Sequence, residues 1–151
     1  MDKPLKFGDQ HPLPNRRRGC TWEASISDTK ILLRTSEYDN GSLGEIAIEL
    51  PNQGIPFQML MQAFSRVVTM GLQHGTPLDA FVEAFTFSRF EPAGMVQGSE
   101  YLKNATSILD YVFRELAIKY DGRTDLAHII PEQSTHSGPQ LRLVSPEDRE
   151  D

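Results

Sequence analysis

From Trp22 the chain alternates apolar and polar positions: Trp22, Ala24 and Ile26 on one parity, Glu23, Ser25 and Ser27 on the other. That two-residue period is the signature of a strand with one buried face. Asp28-Thr29 reads as a turn, and Lys30-Ile31-Leu32-Leu33-Arg34-Thr35 resumes an apolar, β-compatible run. Tyr38-Asp39-Asn40-Gly41 is a second turn, since Asn and Gly accept positive φ. Beyond it Ile46, Ile48 and Leu50 alternate with Glu45, Ala47 and Glu49. The pattern predicts a three-stranded antiparallel meander.

After Pro51-Asn52-Gln53-Gly54 the period changes. Phe57, Leu60, Met61, Phe64, Val68 and Leu72 recur at three- and four-residue steps, which predicts an amphipathic helix ending near Gly71–Gly75. Met59, Met61 and Met70 fall within it and read as gap-filling core residues. Thr76-Pro77-Leu78-Asp79 places a capping residue before a proline at the first helical position, opening a shorter helix with Leu78, Phe81, Val82 and Phe85 on one face. Phe87 to Gly98 mixes aromatics, charges and breakers and reads as a shaped loop, in which Glu91, Pro92, Gly94 and Gly98 set the backbone path. Ser99 is expected to start a last helix, with Leu102, Ala105, Leu109, Val112, Phe113 and Leu116 along one face until Asp121-Gly122 ends it.

Strands first and helices afterwards, without β-α-β alternation, predict an α+β domain: an antiparallel sheet of three or more strands with about three helices packed on one face. Residues 1–15, with prolines at 4, 12 and 14, read as a flexible arm, 16–130 as the domain, and 131–151 as a flexible acidic tail. At 151 residues there is room for one core. No run is apolar enough for a transmembrane helix and the N-terminus lacks a signal-like apolar segment, so a cytoplasmic protein without a membrane partner is expected.

The chain carries a formal net charge of −6. Nucleic acid is therefore not an expected partner, because phosphate backbones are bound by clustered Lys and Arg. The charge is uneven, however. Arg16, Arg17 and Arg18 are consecutive, and guanidinium forks match phosphate oxygens bidentately, so the triplet is a candidate phosphate or nucleotide contact. A solvated run at the domain's start is the plainer alternative. The single cysteine, Cys20, excludes an intramolecular disulfide or a thiolate zinc cage, and beside three arginines it is a candidate reactive thiol. His11, His74, His128 and His136 lack the spacing of a metal site, so no metal is expected. Asp110 with Glu115, or Glu83 with Glu91, has the residue types of an acid-base pair, against the commoner reading of a solvated helix face. No GxSxG, Walker or GxGxxG motif occurs.

The stretch from Gly71 to Gly98, GLQHGTPLDAFVEAFTFSRFEPAGMVQG, closely resembles the C-terminal region of large adenosylcobalamin-dependent ribonucleotide reductases. The likeness continues through Ala105–Ala117, ATSILDYVFRELA, and Asp125-Leu126-Ala127-His128. Upstream it includes Asn15-Arg16-Arg17-Arg18-Gly19 and Leu43-Gly44-Glu45-Ile46. It covers about residues 14–129 and identifies the module known as the TSCPD domain.

The resemblance implies a link to deoxyribonucleotide and hence DNA synthesis. In that family a radical started by adenosylcobalamin, a catalytic cysteine, a reducible cysteine pair and a cysteine-rich tail carry the chemistry. This sequence has one thiol, at the position where the family carries an aromatic residue after the Arg-Gly step. No catalytic residue and no cofactor are expected in the isolated chain. Two classes follow: an accessory or binding module that docks on a reductase large chain or senses a nucleotide, or a subunit completing a ribonucleoside-diphosphate reductase encoded on separate chains. Under the first, Arg16, Arg17, Arg18 and, subsidiarily, Arg89 are the expected nucleotide contacts, with an Arg89–Glu91 ion pair as the structural alternative. An open sheet edge would favour a homodimer.

Overall fold

Ile26, Ile31 and Leu33 are fully buried, and the sheet is built around them. In the computed structural model, which describes residues 8–129, β1 (Thr21–Ile26), β2 (Thr29–Glu37) and β3 (Leu43–Glu49) form the expected antiparallel meander. Ala24, Ile26, Ile31, Leu33, Ile46 and Ile48 share its buried face. The first turn sits one residue earlier than expected: Ile26 pairs with Thr29, so Ser27 and Asp28 make the bend, with Ser27 at φ +50°. At the second turn the Asn40 carboxamide oxygen accepts from both the amide and the hydroxyl of Ser42, with Gly41 at φ +85°.

The sheet has five strands. β4 (Gly94–Gln97) pairs with the end of β1 and β5 (Asn104–Ala105) with β4, giving the order β3-β2-β1-β4-β5. β4 lies inside the segment expected as loop. Its recorded register against β1 is only Ser25↔Gln97 and Ile26↔Val96, too short for an alternation to emerge from the sequence.

α1 spans Ile55–Gln73, α2 Leu78–Phe85 and α3 Ile108–Asp121. Pro77, not Thr76, occupies the N-cap of α2, with no side-chain cap. α3 begins nine residues later than expected. Both Ser99 and Ser107 accept from the amide three residues on, Leu102 and Asp110 respectively, but only Ser107 leads into a helix. Ser99 closes a turn, and Leu102 and Ala105 reach the core from the loop and β5. Gly122 ends α3 at φ +62°.

From Asp110 to Ile118 every residue of α3 is buried, so the helix has no solvated face over that stretch. Phe113 is stacked against Phe81 and Phe85 of α2, and Phe64 of α1 meets both Phe85 and Phe113 edge-on, which ties the three helices together.

α1 has two different apolar faces. Met61, Val68 and Leu72 enter the core. Ile55, Met59, Leu60, Val67 and Met70 stand in solvent at 56–73% exposure, so of the three methionines only Met61 fills the core. Between these faces, polar side chains meet the outer edge of β3. Thr69 Oγ1 and Ser65 Oγ accept from the amides of Ile46 and Ile48 at 3.1 Å each, and the Gln73 amide donates to the Gly44 carbonyl at 3.3 Å. The β3 edge, a candidate for pairing with a second copy, is thus taken by the chain's own helix.

Residues 8–15 have no regular structure, yet they are fastened: the His11 amide donates to the Gln73 carbonyl, Tyr38 Oη donates to the His11 carbonyl, and Leu13 packs over Gly44. The remainder of the expected arm, the acidic tail over 131–151 and His136 lie outside the described residues.

Candidate functional site

The chain follows a bend at Asn15-Arg16 and from Arg18 to Cys20 runs beside β2, prolonging the line of β1. The Glu37 amide donates to the Arg18 carbonyl at 2.8 Å and the Thr35 amide to the Cys20 carbonyl at 2.9 Å. Gly19 between them has no alternative, since a Cβ there would stand 1.8 Å from the Thr35 carbonyl oxygen. All three arginines are exposed. Arg17 is engaged with Glu45 at 3.2 Å and with the Pro14 carbonyl. Arg16 and Arg18 form no ion pair among the described residues. With Glu37, Tyr38, Asp39 and Gly41 the triplet lines a groove of about 660 Å³.

Cys20 is half-buried and its hydrogen-bond partner is a carboxylate: Sγ lies 3.9 Å from Glu37 Oε2. The same Glu37 oxygen accepts from Tyr120 Oη at 2.6 Å, Tyr120 Oη meets Thr35 Oγ1 at 2.7 Å, and Thr35 Oγ1 accepts from the Cys20 amide at 3.0 Å. Burial and the Glu37 carboxylate push the Tyr120 phenol well above its ordinary value, so it stays a donor. The circuit closes on itself and clamps the start of β1 to α3.

Arg89 is not brought to the triplet. It lines a different cleft, of about 390 Å³, with Phe90, Glu91, Ala93, Ala105 and Thr106. Arg89 and Glu91 are both exposed and form no ion pair among the described residues. Their loop is held by backbone partners instead: the Phe90 amide donates to the Thr106 carbonyl, Thr106 Oγ1 to the Ser88 carbonyl at 2.7 Å, and Ser27 Oγ to the Ala93 carbonyl at 3.0 Å. Pro92 is half-buried within it, Gly94 sits at φ +133° and Gly98 at φ +88°, where a Cβ would also stand 2.6 Å from the Glu23 carbonyl oxygen.

Beneath this loop Asp110, which the sequence offered with Glu115 as an acid-base dyad or a solvated face, forms a buried ion pair with Arg114. Asp110 and Glu115 are 1% and 2% exposed. Five residues apart on a helix, their side chains leave about 140° apart, and each has its own partners. Asp110 accepts from the Phe87 amide at 2.7 Å, the Thr106 amide at 3.0 Å and Arg114 Nε at 2.9 Å. Burial alone would raise its pKa, but the two amides and the guanidinium outweigh that and hold the carboxyl below its usual range. Arg114 also donates to the Leu126 carbonyl and lies 4.5 Å from the centroid of the Phe87 ring, a cation–π contact. The i, i+4 spacing of Asp110 and Arg114 was the available signal.

Glu115 opens on a cleft of about 630 Å³ formed by Cys20, Thr21 and Trp22 from the β1 segment, Gly98, Glu100 and Tyr101 from the loop, and Glu115, Ile118 and Lys119 of α3. Among the described residues its carboxylate has one side-chain donor, Ser99 Oγ, 3.0 Å from Oε2 and 3.3 Å from Oε1. Burial, reinforced by Glu100, pushes the Glu115 pKa up. His74 Nδ1 meets the Gly8 carbonyl and His128 Nδ1 accepts from the Lys103 amide.

Residues 5–120 match the TSCPD domain family. This chain is a TSCPD domain. It is 54% identical over 121 residues to the vitamin B12-dependent ribonucleotide reductase of Agrobacterium fabrum, covering 80% of this chain and 10% of that protein. To the protein of the same name from Bradyrhizobium diazoefficiens it is 52% identical over 134 residues, 89% of this chain and 11% of the relative. With that of Rhodopirellula baltica identity is 30% over 113 residues, 75% of this chain and 11% of the relative. The TSCPD domain thus spans about a tenth of the length of these curated relatives. No solved structure matches. No helix among the described residues is long and apolar enough to cross a membrane. The three clefts described above, of about 390 Å³ to 660 Å³, have no histidine in their linings that could ligate a cobalt ion.

Proposed function

We propose that this TSCPD domain is a non-catalytic accessory module of a vitamin B12-dependent ribonucleotide reductase, docking on the reductase body through the outward face of α1. The observation that carries this reading is the row Ile55, Met59, Leu60, Val67 and Met70, large apolar side chains at 56–73% exposure on one helix whose single charged residue is Arg66. An exposed apolar patch of this kind marks an interaction surface. The relatives supply an occupant, since about nine tenths of their length lies outside the matched part. The arginine groove supports a second element of the reading, contact with nucleotide phosphate at Arg16, Arg17 and Arg18, with Arg89 on its separate cleft as a subsidiary contact. Such a module acts in deoxyribonucleotide synthesis, in the cytoplasm.

The test is affinity capture of a reductase large chain by the tagged protein, with reductase activity assayed with and without it. Capture with unchanged activity supports the accessory role, and Val67→Glu, at an exposed position, abolishes capture while leaving the melting temperature unchanged. Activity that strictly requires the chain makes it instead a completing subunit. Capture that survives both Val67→Glu and Leu60→Glu overturns the docking face, and failure to bind any reductase chain removes the reading altogether.

A further inference from the structure

The cleft at Glu115 has features that the docking role does not use. Its lining includes Glu115, 2% exposed, whose two carboxylate oxygens share the one proton that Ser99 Oγ can donate; Ser99 Oγ itself accepts from the Tyr101 and Leu102 amides. No ion pair reaches Glu115 among the described residues, since the neighbouring guanidinium of Arg114 is given to Asp110 and Leu126. An ionised carboxylate accepts up to about four hydrogen bonds, so the described residues leave most of its capacity unfilled. A buried polar group left short of partners is costly, which favours an occupant that brings N–H donors. Trp22 and Tyr101 line the same cleft, suiting that occupant to be flat and aromatic. Its volume, about 630 Å³, is within the range of small-molecule sites.

The cleft and the arginine groove flank one stretch of chain. Arg18, Cys20 and Trp22 fall on the same parity of the extended segment paired with β2, and so on the same face. Four residues at about 3.3 Å each separate Arg18 from Trp22 by roughly 13 Å, the reach of a nucleotide from its base to its outer phosphates.

Resting on the reading that this groove takes phosphate, we propose that the cleft holds the base of a guanine nucleotide, with Glu115 accepting from its paired N–H donors and the phosphates running to Arg16 and Arg18. Guanine is the base whose pairing edge sets a ring N–H beside an exocyclic amino group. Adenine and cytosine put an acceptor nitrogen beside their amino group, and uracil flanks its N–H with two carbonyls. A carboxylate that only accepts meets two donors on guanine alone.

Trp22 is the only tryptophan and lines the cleft, so its fluorescence reports on occupancy. The full chain is titrated with GTP, ATP, CTP, guanosine, tripolyphosphate and N-acetylarginine amide, following Trp22 emission and heat. GTP is expected to quench Trp22 and to bind at least tenfold tighter than ATP or CTP, while tripolyphosphate binds without quenching. Glu115→Gln is expected to erase the preference for GTP over ATP with the fold intact by circular dichroism, and Arg16→Ala/Arg18→Ala to weaken GTP and ATP equally. Equal, arginine-dependent binding of GTP and ATP overturns the base site and leaves the phosphate reading standing. Binding of guanosine without tripolyphosphate keeps the base site and removes the phosphate groove. Glu115-dependent binding of N-acetylarginine amide without GTP overturns the proposal in favour of a cationic peptide, and no response to any of the six removes both readings.

Discussion

Ser65 of α1 accepts from the amide of Ile48 at 3.1 Å while donating to the carbonyl of Met61, four residues back in its own helix, at 2.8 Å. One hydroxyl thus joins a helix to the edge of a sheet, and the Ile48 amide has no strand beyond it to turn to. Ser65→Ala leaves that buried donor unpaired, which costs about 1–3 kcal/mol. Urea unfolding should show a lowered midpoint with an unchanged slope; a midpoint equal to that of the native chain would mean the hydroxyl contributes nothing.

Asp110 and Arg114 are expected to behave as a unit. Asp110→Ala strands a guanidinium that is almost wholly buried, a loss of about 3–5 kcal/mol, whereas Asp110→Ala/Arg114→Met removes both charges and should be less destabilised than the single variant. Because the folded-state pKa of Asp110 is lowered, its contribution is complete above the ordinary aspartate range near 3.8 and vanishes as pH falls through the folded value. Acid unfolding followed by circular dichroism checks both points, since the double variant should lose part of the native chain's pH dependence below 3.8.

Glu115 should show the opposite sign. Its pKa is raised in the fold, so as pH climbs from the ordinary glutamate value of 4.5 through the folded value the native state gives up its proton later, and stability declines over that window. Glu115→Gln, which keeps an acceptor for Ser99, should melt higher than the native protein at pH 7, with the gain shrinking toward pH 4. A gain independent of pH would assign the effect to packing.

Gly98→Ala combines a left-handed backbone at φ +88° with a Cβ placed 2.6 Å from the Glu23 carbonyl oxygen. The clash is with β1 itself, so the β1–β4 pairing should open and amide exchange at Ser27 and Gln97 should accelerate. Gly41→Ala, also at positive φ but with nothing within 4 Å of the added carbon, should be milder and leave those amides protected.

The parts of this fold that were legible in the sequence are those with a long period. Alternation from Trp22 to Leu50 located three strands because one face of each is buried, and the three- and four-residue steps of α1 located its core side. Position along the chain was less legible where a single residue plays two parts: Ser99 and Ser107 each gather an amide three residues on, and nothing local distinguishes a turn from a helix start. β4 depends on a partner strand some seventy residues away, which no window of sequence contains.

The site is legible to a similarly divided degree. Arg16, Arg17 and Arg18 announced themselves as charge, and the structure assigns them a groove. Met59 and Met70 satisfied the helical period of a core yet face outward, because α1 is apolar on two sides and periodicity does not say which side is covered. Asp110 and Glu115 looked solvated because carboxylates on helices generally are. Their partners, Phe87, Thr106 and Ser99, come from loops whose geometry the sequence does not display.

α3 is enclosed over its whole circumference from Asp110 to Ile118, and it carries two carboxylates and a guanidinium into that enclosure. Sliding or rotating such a helix would tear its charges from partners on four different segments at once. The helix is therefore pinned in both register and rotation, and the wall that Glu115 and Ile118 give the cleft is pinned with it.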